Sequence, residues 1–138
     1  MSIRYSDDPS MIDWHTLRED LIIDDFHNGR SPEKLRESFT SSQIPIFALD
    51  DGNRCIGTAR ALSDGVCNAY VVDVWTHSRC RGQGVASVMM QHIIDACPAQ
   101  HIYLFTDTAV AFYKKLGFRE QPAGTQIISG TWLVAGPD

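Results

Sequence analysis

The sequence contains no apolar run long enough to cross a membrane, since a transmembrane helix needs about 20 such residues. Residues 1–10 are polar and acidic and lack the apolar stretch of a secretory signal. The four cysteines, Cys55, Cys67, Cys80 and Cys97, are widely spaced and form no C-x-x-C pair, so neither a zinc site nor a redox pair is predicted. We therefore expect no membrane partner, no bound metal and a reducing, cytoplasmic setting with free thiols.

Basic side chains are also scarce. The net charge of the 138-residue chain is −5, which argues against a general nucleic-acid-binding protein. The excess of acidic over basic side chains is concentrated at the start of the chain, because residues 1–41 carry nine acidic and five basic side chains. No glycine-lysine-serine/threonine triplet exists, so a P-loop is excluded. The hydrophobic fraction of 43% is ordinary for a globular protein, and we expect residues 1–138 to form a single domain.

Hydrophobic periodicity and turn residues predict an α/β chain with a mixed sheet. The predicted elements are a strand at 3–5, helices from 13 to Asn28-Gly29 and from 31 to 40, strands at 45–49, 55–62 and 69–76, a helix that ends at Pro98, a strand at 101–105, a helix at 109–116, and one or two strands around Arg119 and 132–134. The order is β-αα-βββ-α-β-α-β, with a strand–helix–strand unit at the centre.

The strongest local signal lies where the strand at 69–76 runs into the turn Arg81-Gly82-Gln83-Gly84 and a helix that starts at Val85. Free N–H groups and the dipole at a helix start attract anions. Glycines permit positive φ angles and a close approach of the ligand to the backbone. The turn therefore predicts a phosphate-bearing ligand. A dinucleotide fold is excluded, because such a fold opens with its glycine motif, whereas here several elements precede it.

A second motif, Phe112-Tyr113-Lys114-Lys115-Leu116-Gly117-Phe118, follows about 30 residues later. With both motifs in this order, the chain resembles the GNAT superfamily of acyl-CoA-dependent N-acyltransferases over essentially its whole length. The resemblance implies a GNAT-like sheet with a splayed fourth strand. It also implies acetyl-CoA as co-substrate, a small-molecule primary amine as acceptor, and direct transfer in a ternary complex. Many relatives pair through C-terminal strands, so a homodimer is one of the oligomeric states that the resemblance leaves open.

A narrower resemblance rests on Arg60-Ala61-Leu62-Ser63-Asp64, with Asp73-Val74 nine residues further on. These residues look most like the small bacterial and plastid-type members. Some of those proteins acetylate arylalkylamines such as serotonin.

The resemblance assigns coenzyme A to the fourth strand and the glycine turn. Pantetheine amides would pair with the strand backbone like an additional strand, and the pyrophosphate would meet the N–H groups of the turn. The residues predicted to bind the cofactor are Val74, Trp75, Thr76, Arg81, Gly82, Gln83, Gly84, Val85, Ala86, Ser87, Phe112 and Lys115. Lys114 is an alternative to Lys115, and a solvated helix end explains both lysines equally well.

Two residues are predicted to be catalytic. Tyr113 matches the family's general acid, since a phenol with a pKa near 10 can protonate the leaving thiolate. The alternative for Tyr113 is a packing role beside Phe112.

Asp73 lies in an otherwise apolar strand, where burial would raise its pKa and suit a base. A structural carboxylate held by an arginine or the backbone is an equal alternative for Asp73. Asp107 is another candidate base, although it also fits a helix N-cap.

Other polar and aromatic residues have simpler interpretations. His77 is expected in a surface loop. Cys80 lies in the turn, but the family does not use an acyl-cysteine. Trp14, Phe26 and Trp75 are expected either in the core or in an acceptor pocket.

Two other function classes are alternatives to an N-acyltransferase. A non-catalytic acyl-CoA-binding or regulatory module would keep the glycine turn but need neither Tyr113 nor a nearby acid. A toxin that acetylates aminoacyl-tRNA is disfavoured, because RNA binding needs a basic surface.

Overall fold

The computed structural model describes residues 2–133, in which five strands and four α-helices form. In chain order they are β1 (Arg4–Ser6), α1 (Trp14–Ile23), α2 (Pro32–Thr40), β2 (Ile44–Leu49), β3 (Cys55–Ser63), β4 (Asn68–Thr76), α3 (Val85–Ala96), β5 (His101–Tyr103) and α4 (Val110–Lys115). The predicted α/β class is confirmed. No helix of the described part combines the length and the apolar character that a membrane span requires. The chain divides into two compact units, one ending at Leu104 and the other beginning at Phe105.

The first unit contains a five-stranded mixed sheet in the order β1-β2-β3-β4-β5. The first three pairs are antiparallel, whereas β4 and β5 are parallel and joined through α3. An acidic hairpin turn connects β2 and β3. There the Asp50 carboxylate accepts hydrogen bonds from the N–H groups of Gly52 and Arg54.

Helices were predicted from residues 13 and 31, and the structure places the N-caps of α1 and α2 at Asp13 and Ser31. Asp13 accepts a hydrogen bond from the N–H of Thr16, and Ser31 accepts one from the N–H of Lys34. The end of α1 differs from the prediction, because the helix stops at Ile23 instead of continuing to Asn28. Left-handed backbone at Asp25 (φ +53°) ends it early.

Side-chain alternation along the strands separates two packing faces of the sheet. One face packs against α1 and α2 through a buried cluster of Ile12, Leu17, Leu21, Leu35, Phe39, Phe47, Leu49, Cys55 and Trp75. On the other face, α3 approaches the sheet so closely that a Cβ atom at Gly57 would lie 2.9 Å from Val85 Cγ1 and 3.1 Å from Ala48 Cβ. The start of α3 is therefore fixed against β3.

The second unit contains α4 and a tail without regular structure. Strands were predicted around Arg119 and Trp132, but residues 118–133 form none, and Val134 lies outside the described residues. Left-handed backbone at Ala123 (φ +73°) and Gly130 (φ +76°) interrupts extended pairing there. The N-cap interpretation of Asp107 is also wrong. Ala109 occupies the N-cap position of α4, no side chain of the described residues caps the helix there, and the N–H of Ala109 donates to the Thr106 hydroxyl.

Gly57→Ala tests the approach of α3 to the sheet. The added methyl group has no space, so we expect a loss of about 1–3 kcal/mol in the free energy of unfolding, measured by denaturant titration. Gly52→Ala is the matched control, because its new Cβ would meet only Asp50 Oδ1 at an ordinary 3.6 Å. Equal stability of the two variants would contradict this packing.

Candidate active site

A bulge in the middle of β4 shapes the candidate site. Thr58 pairs with Trp75 and Arg60 with Val72, so β4 contains one more residue than β3 across this interval. Asp73 lies in the bulge with φ +56°, and the Thr58 hydroxyl donates to its carbonyl oxygen at 2.8 Å. On the other edge, β5 pairs only with residues 68–70 of β4. The edge at residues 71–76 has no strand partner among the described residues, which matches the predicted splayed fourth strand.

The register decides which backbone groups face this open edge. Thr76 pairs with Gly57, and the N–H of the next residue, His77, donates to the Ile56 carbonyl at 2.8 Å. In an antiparallel ladder this pattern marks a pair without mutual hydrogen bonds, so the N–H and C=O of Thr76 point away from β3. Those of Trp75 point towards β3. Thr76 therefore fits the predicted pantetheine contact, the backbone of Trp75 does not, and Val74 lies beside the bulge.

The glycine turn follows β4 and leads into α3. Gly82 (φ +81°) and Gly84 (φ +79°) both adopt left-handed backbone. A Cβ atom at either position would meet no atom of the described residues within 4 Å. Glycine is therefore required by the left-handed backbone conformation and not by a lack of space. Gly84 is the N-cap of α3, and no side chain in the described part of the chain caps this helix. The first N–H groups of α3 are consequently left for an external acceptor, which fits a pyrophosphate.

The remaining residues of the turn differ in exposure. Val85 is buried in the core, Ala86 and Ser87 are half-buried, and Gln83 is exposed. The Arg81 side chain is 62% exposed and its Nη2 lies 3.8 Å from Asp24 Oδ2. Its Nε donates to the Thr76 carbonyl at 3.3 Å. Arg81 thus places a positive charge between the open edge of β4 and the glycine turn.

Two arginines clamp the Asp73 carboxylate. Arg30 binds both of its oxygens, at 2.8 and 2.9 Å, and Arg60 Nε donates to Oδ2 at 2.6 Å. Burial raises the pKa of Asp73, but the hydrogen bonds and charges of the two arginines outweigh it, and the pKa is lowered. The expected upward shift is therefore wrong. The geometry favours the structural interpretation of Asp73 over the role of a base.

In the second unit, Tyr113 is 8% exposed and its ring packs edge-on against Phe112 and Phe118, with centroids 4.9 and 5.7 Å away. Its hydroxyl makes no hydrogen bond to the described residues. Burial raises the pKa of Tyr113, so the phenol is protonated at neutral pH. Lys114 pairs with Glu120 at 2.8 Å, whereas Lys115 is exposed at the end of α4. Among the described residues, Lys115 has no ion-pair partner.

Several side chains lie elsewhere than expected. His77 is buried, not in a surface loop; it is 4% exposed, and its Nδ1 accepts a hydrogen bond from the N–H of Arg79. Trp75 is 2% exposed and belongs to the core, and Trp14 and Phe26 pack against the same cluster. Trp75 therefore has the core role, and Trp14 and Phe26 are partly buried against the same cluster.

Three residues near the site escaped prediction: Arg30, Arg60 and Asp24. Arg60 did carry a signal, since a charged residue inside the apolar strand β3 needs a buried partner such as Asp73. Arg30 and Asp24 lie at the ends of the segment between α1 and α2. Nothing in their local sequence indicates their long-range contacts.

The model of the Acetyltransferase (GNAT) family matches residues 10–118. The "Uncharacterized N-acetyltransferase ycf52" of Porphyra purpurea is 36% identical over 104 residues, which are 70% of this chain and 60% of the relative. "Serotonin N-acetyltransferase 2, chloroplastic" of Oryza sativa subsp. japonica is 31% identical over 100 residues, 67% of this chain and 50% of the relative. The chain thus spans 60% or less of the length of these relatives.

Solved structures share the fold. A putative acetyltransferase of the GNAT family from Xanthomonas campestris pv. campestris matches with a TM-score of 0.79 at 20% identity, covering 93% of this chain and 94% of that protein. A predicted acetyltransferase with acetyl-CoA from Clostridium acetobutylicum matches with a TM-score of 0.67 at 19% identity, covering 92% and 95%.

Asp73→Asn tests the structural role of the clamp. Removal of the charge leaves two arginines without their buried partner, and we expect a loss of about 3 kcal/mol in unfolding free energy at neutral pH. Because the folded-state pKa is lowered, the Asp73 contribution is present above the ordinary value of about 3.9 and is lost as the pH falls through the folded value. Denaturant titrations of the wild type and Asp73→Asn from neutral to acidic pH should show that the difference in their unfolding free energies shrinks only at acidic pH. A difference near zero at neutral pH, like that expected for the exposed Asp51→Asn control, would contradict the clamp.

Proposed function

Because the chain belongs to the GNAT acetyltransferase family, we propose that it is an N-acetyltransferase that moves an acetyl group from acetyl-CoA to a primary amine. The transfer is direct, within a ternary complex, in a domain formed by residues 1–138. The observation that carries this proposal is the combination, within one compact unit, of an open β4 edge with an uncapped, glycine-led start of α3. An extended amide-containing arm and a pyrophosphate need these two features side by side.

The donor site uses backbone groups more than side chains. The N–H and C=O of Thr76 meet the pantetheine arm, and the N–H groups from Arg81 to Ser87 surround the pyrophosphate. The Arg81 guanidinium adds positive charge. In the second unit, Phe112 and Lys115 are proposed contacts on the strength of the family motif.

Catalysis requires proton transfer at two points. Acetyl-CoA supplies the thioester carbonyl that the amine attacks, and N–H groups of the splayed β4 stabilise the negative charge that develops on its oxygen. Tyr113, protonated at neutral pH, donates a proton to the leaving sulfur. Asp73 is fully engaged by Arg30 and Arg60, so water or the exposed Asp107 takes the proton of the ammonium group.

The acceptor is proposed as a class. One relative is named for serotonin and another, from Glycine max, is named a histone acetyltransferase. A structural neighbour from Arabidopsis thaliana is a glucosamine-6-phosphate N-acetyltransferase. A useful amine panel therefore contains an arylalkylamine, a lysine peptide and an amino sugar. Failure to cleave the thioester with any amine, despite tight donor binding, would favour a non-catalytic acyl-CoA-binding module.

Gly84→Ala tests the donor site. The left-handed backbone makes any side chain costly by about 1–2 kcal/mol. Acetyl-CoA should raise the Tm of the wild type by mass action, with ATP and NAD much weaker, and this shift should be lost in the variant. Gly65→Ala is a matched control in the β3–β4 turn, with similar φ (+78°) and equally open space. A Gly65 variant that loses the shift, or a Gly84 variant that keeps it, would contradict the assignment.

Tyr113→Phe tests the proton donor. The substitution keeps the ring and its packing against Phe112 and Phe118 but removes the hydroxyl. We expect kcat to fall on the order of 10²-fold while the Kd for acetyl-CoA stays nearly constant. Thioester cleavage with the best amine of the panel measures kcat, and calorimetric titration measures the Kd for acetyl-CoA. Unchanged kcat would leave Tyr113 as a packing residue.

A further inference from the structure

Two carboxylates one helical turn apart on α1 reach the segment that joins β4 to the glycine turn. Asp20 is 1% exposed, binds Arg54 through both oxygens at 2.7 and 2.9 Å, and lies 3.6 Å from the ring nitrogen Nε2 of His77. Asp24, at the end of the helix, reaches further along the same segment. A single helix therefore contacts the start of the donor site at two points.

The Asp24 contacts are short and involve groups directly before the turn. Its Oδ2 accepts hydrogen bonds from the indole N–H of Trp75 at 2.9 Å and from the backbone N–H of Ser78 at 3.1 Å. The side chain is 6% exposed. Burial raises the pKa of Asp24, but these hydrogen bonds and the Arg81 charge outweigh it and lower the pKa, so the carboxylate is ionised at neutral pH. Hydrogen bonds to an ionised group are about twice as strong as neutral ones.

The two hydrogen bonds lie on either side of the backbone that the proposed function uses. Trp75 precedes Thr76, whose N–H and C=O face the open edge, and Ser78 begins the short 3₁₀ turn Ser78–Cys80 that leads to Arg81. Asp24 also lies 3.8 Å from the Arg81 guanidinium. The Asp24 carboxylate thus connects the beginning of the glycine turn to the end of β4. Catalytic and binding groups need such support, because small misplacements are costly.

We propose that Asp24 is a positioning residue of the donor site, which fixes the end of β4 and the start of the glycine turn in the arrangement that the pyrophosphate of acetyl-CoA needs. This inference rests on the proposed function and adds a residue outside both family motifs. Asp24 acts through Trp75, Ser78 and Arg81 and does not itself touch the donor. The Trp75 backbone is also held by its pairing with Thr58 of β3, whereas the glycine turn lies outside the strand ladders. The loss of Asp24 therefore affects mainly the part of the ligand that the turn holds.

Calorimetric titration of wild type and Asp24→Ala with acetyl-CoA and with S-acetylpantetheine, which lacks the pyrophosphate, tests the proposal. We expect the Kd for acetyl-CoA to rise roughly tenfold in the variant, since two hydrogen bonds to a charged group are lost. The Kd for S-acetylpantetheine should stay within about twofold. Asp24→Asn keeps a carbonyl oxygen for Trp75 and Ser78 and should recover most of the acetyl-CoA affinity.

Asp13→Ala is the matched structural control, because it removes the N-cap of the same helix at its far end. It should lower the Tm by a few degrees and leave both Kd values unchanged. The inference is overturned if Asp24→Ala changes the Kd values for both ligands equally or changes neither. It is also overturned if Asp24→Asn binds acetyl-CoA as weakly as Asp24→Ala does, or if Asp13→Ala weakens acetyl-CoA binding to the same extent. A wild type that binds neither ligand would overturn the proposed function itself, and this inference with it.

Discussion

The clamp on Asp73 is the interaction on which the candidate site depends. A buried carboxylate is costly unless it is paired, and here Arg30 and Arg60 bind it from two directions. Arg60 lies in β3 and Arg30 in the segment after α1, so the clamp joins three parts of the fold at the bulge of β4. The bulge in turn holds an aspartate in left-handed backbone, which few other residues adopt readily. The two ion pairs thus stabilise the bulge of β4. The edge of β4 around this bulge, residues 71–76, has no strand partner among the described residues.

The open edge and the glycine turn would be useless as a donor site if they moved independently. Two contacts prevent this. His77 is buried and caps the short turn that follows β4, and Asp24 ties Trp75 to Ser78. On the other face of the sheet, Val85 packs where Gly57 leaves space and fixes the start of α3. The proposed donor site is therefore positioned from both faces of the sheet.

Local chemistry made part of this architecture predictable. The helix starts at Asp13 and Ser31 and the two left-handed glycines follow from the conformational preferences of single residues. Contacts between distant residues were not predictable in the same way. Burial alone suggested a raised pKa for Asp73, and only the positions of Arg30 and Arg60 reverse the direction. Likewise, the outward direction of Thr76 and the inward direction of Trp75 depend on the strand register, which composition does not reveal. The tail strands were predicted from apolar residues, but left-handed backbone interrupts that segment.

Amide hydrogen exchange measured by NMR with and without acetyl-CoA tests most directly whether the β4 edge and the glycine turn form the donor site. If they do, acetyl-CoA should slow the exchange of the Thr76 N–H and of the N–H groups from Val85 to Ser87. The Trp75 N–H, which points towards β3, should exchange slowly in both conditions. Unchanged exchange at Thr76 and at the start of α3, with new protection in another part of the chain, would contradict this assignment.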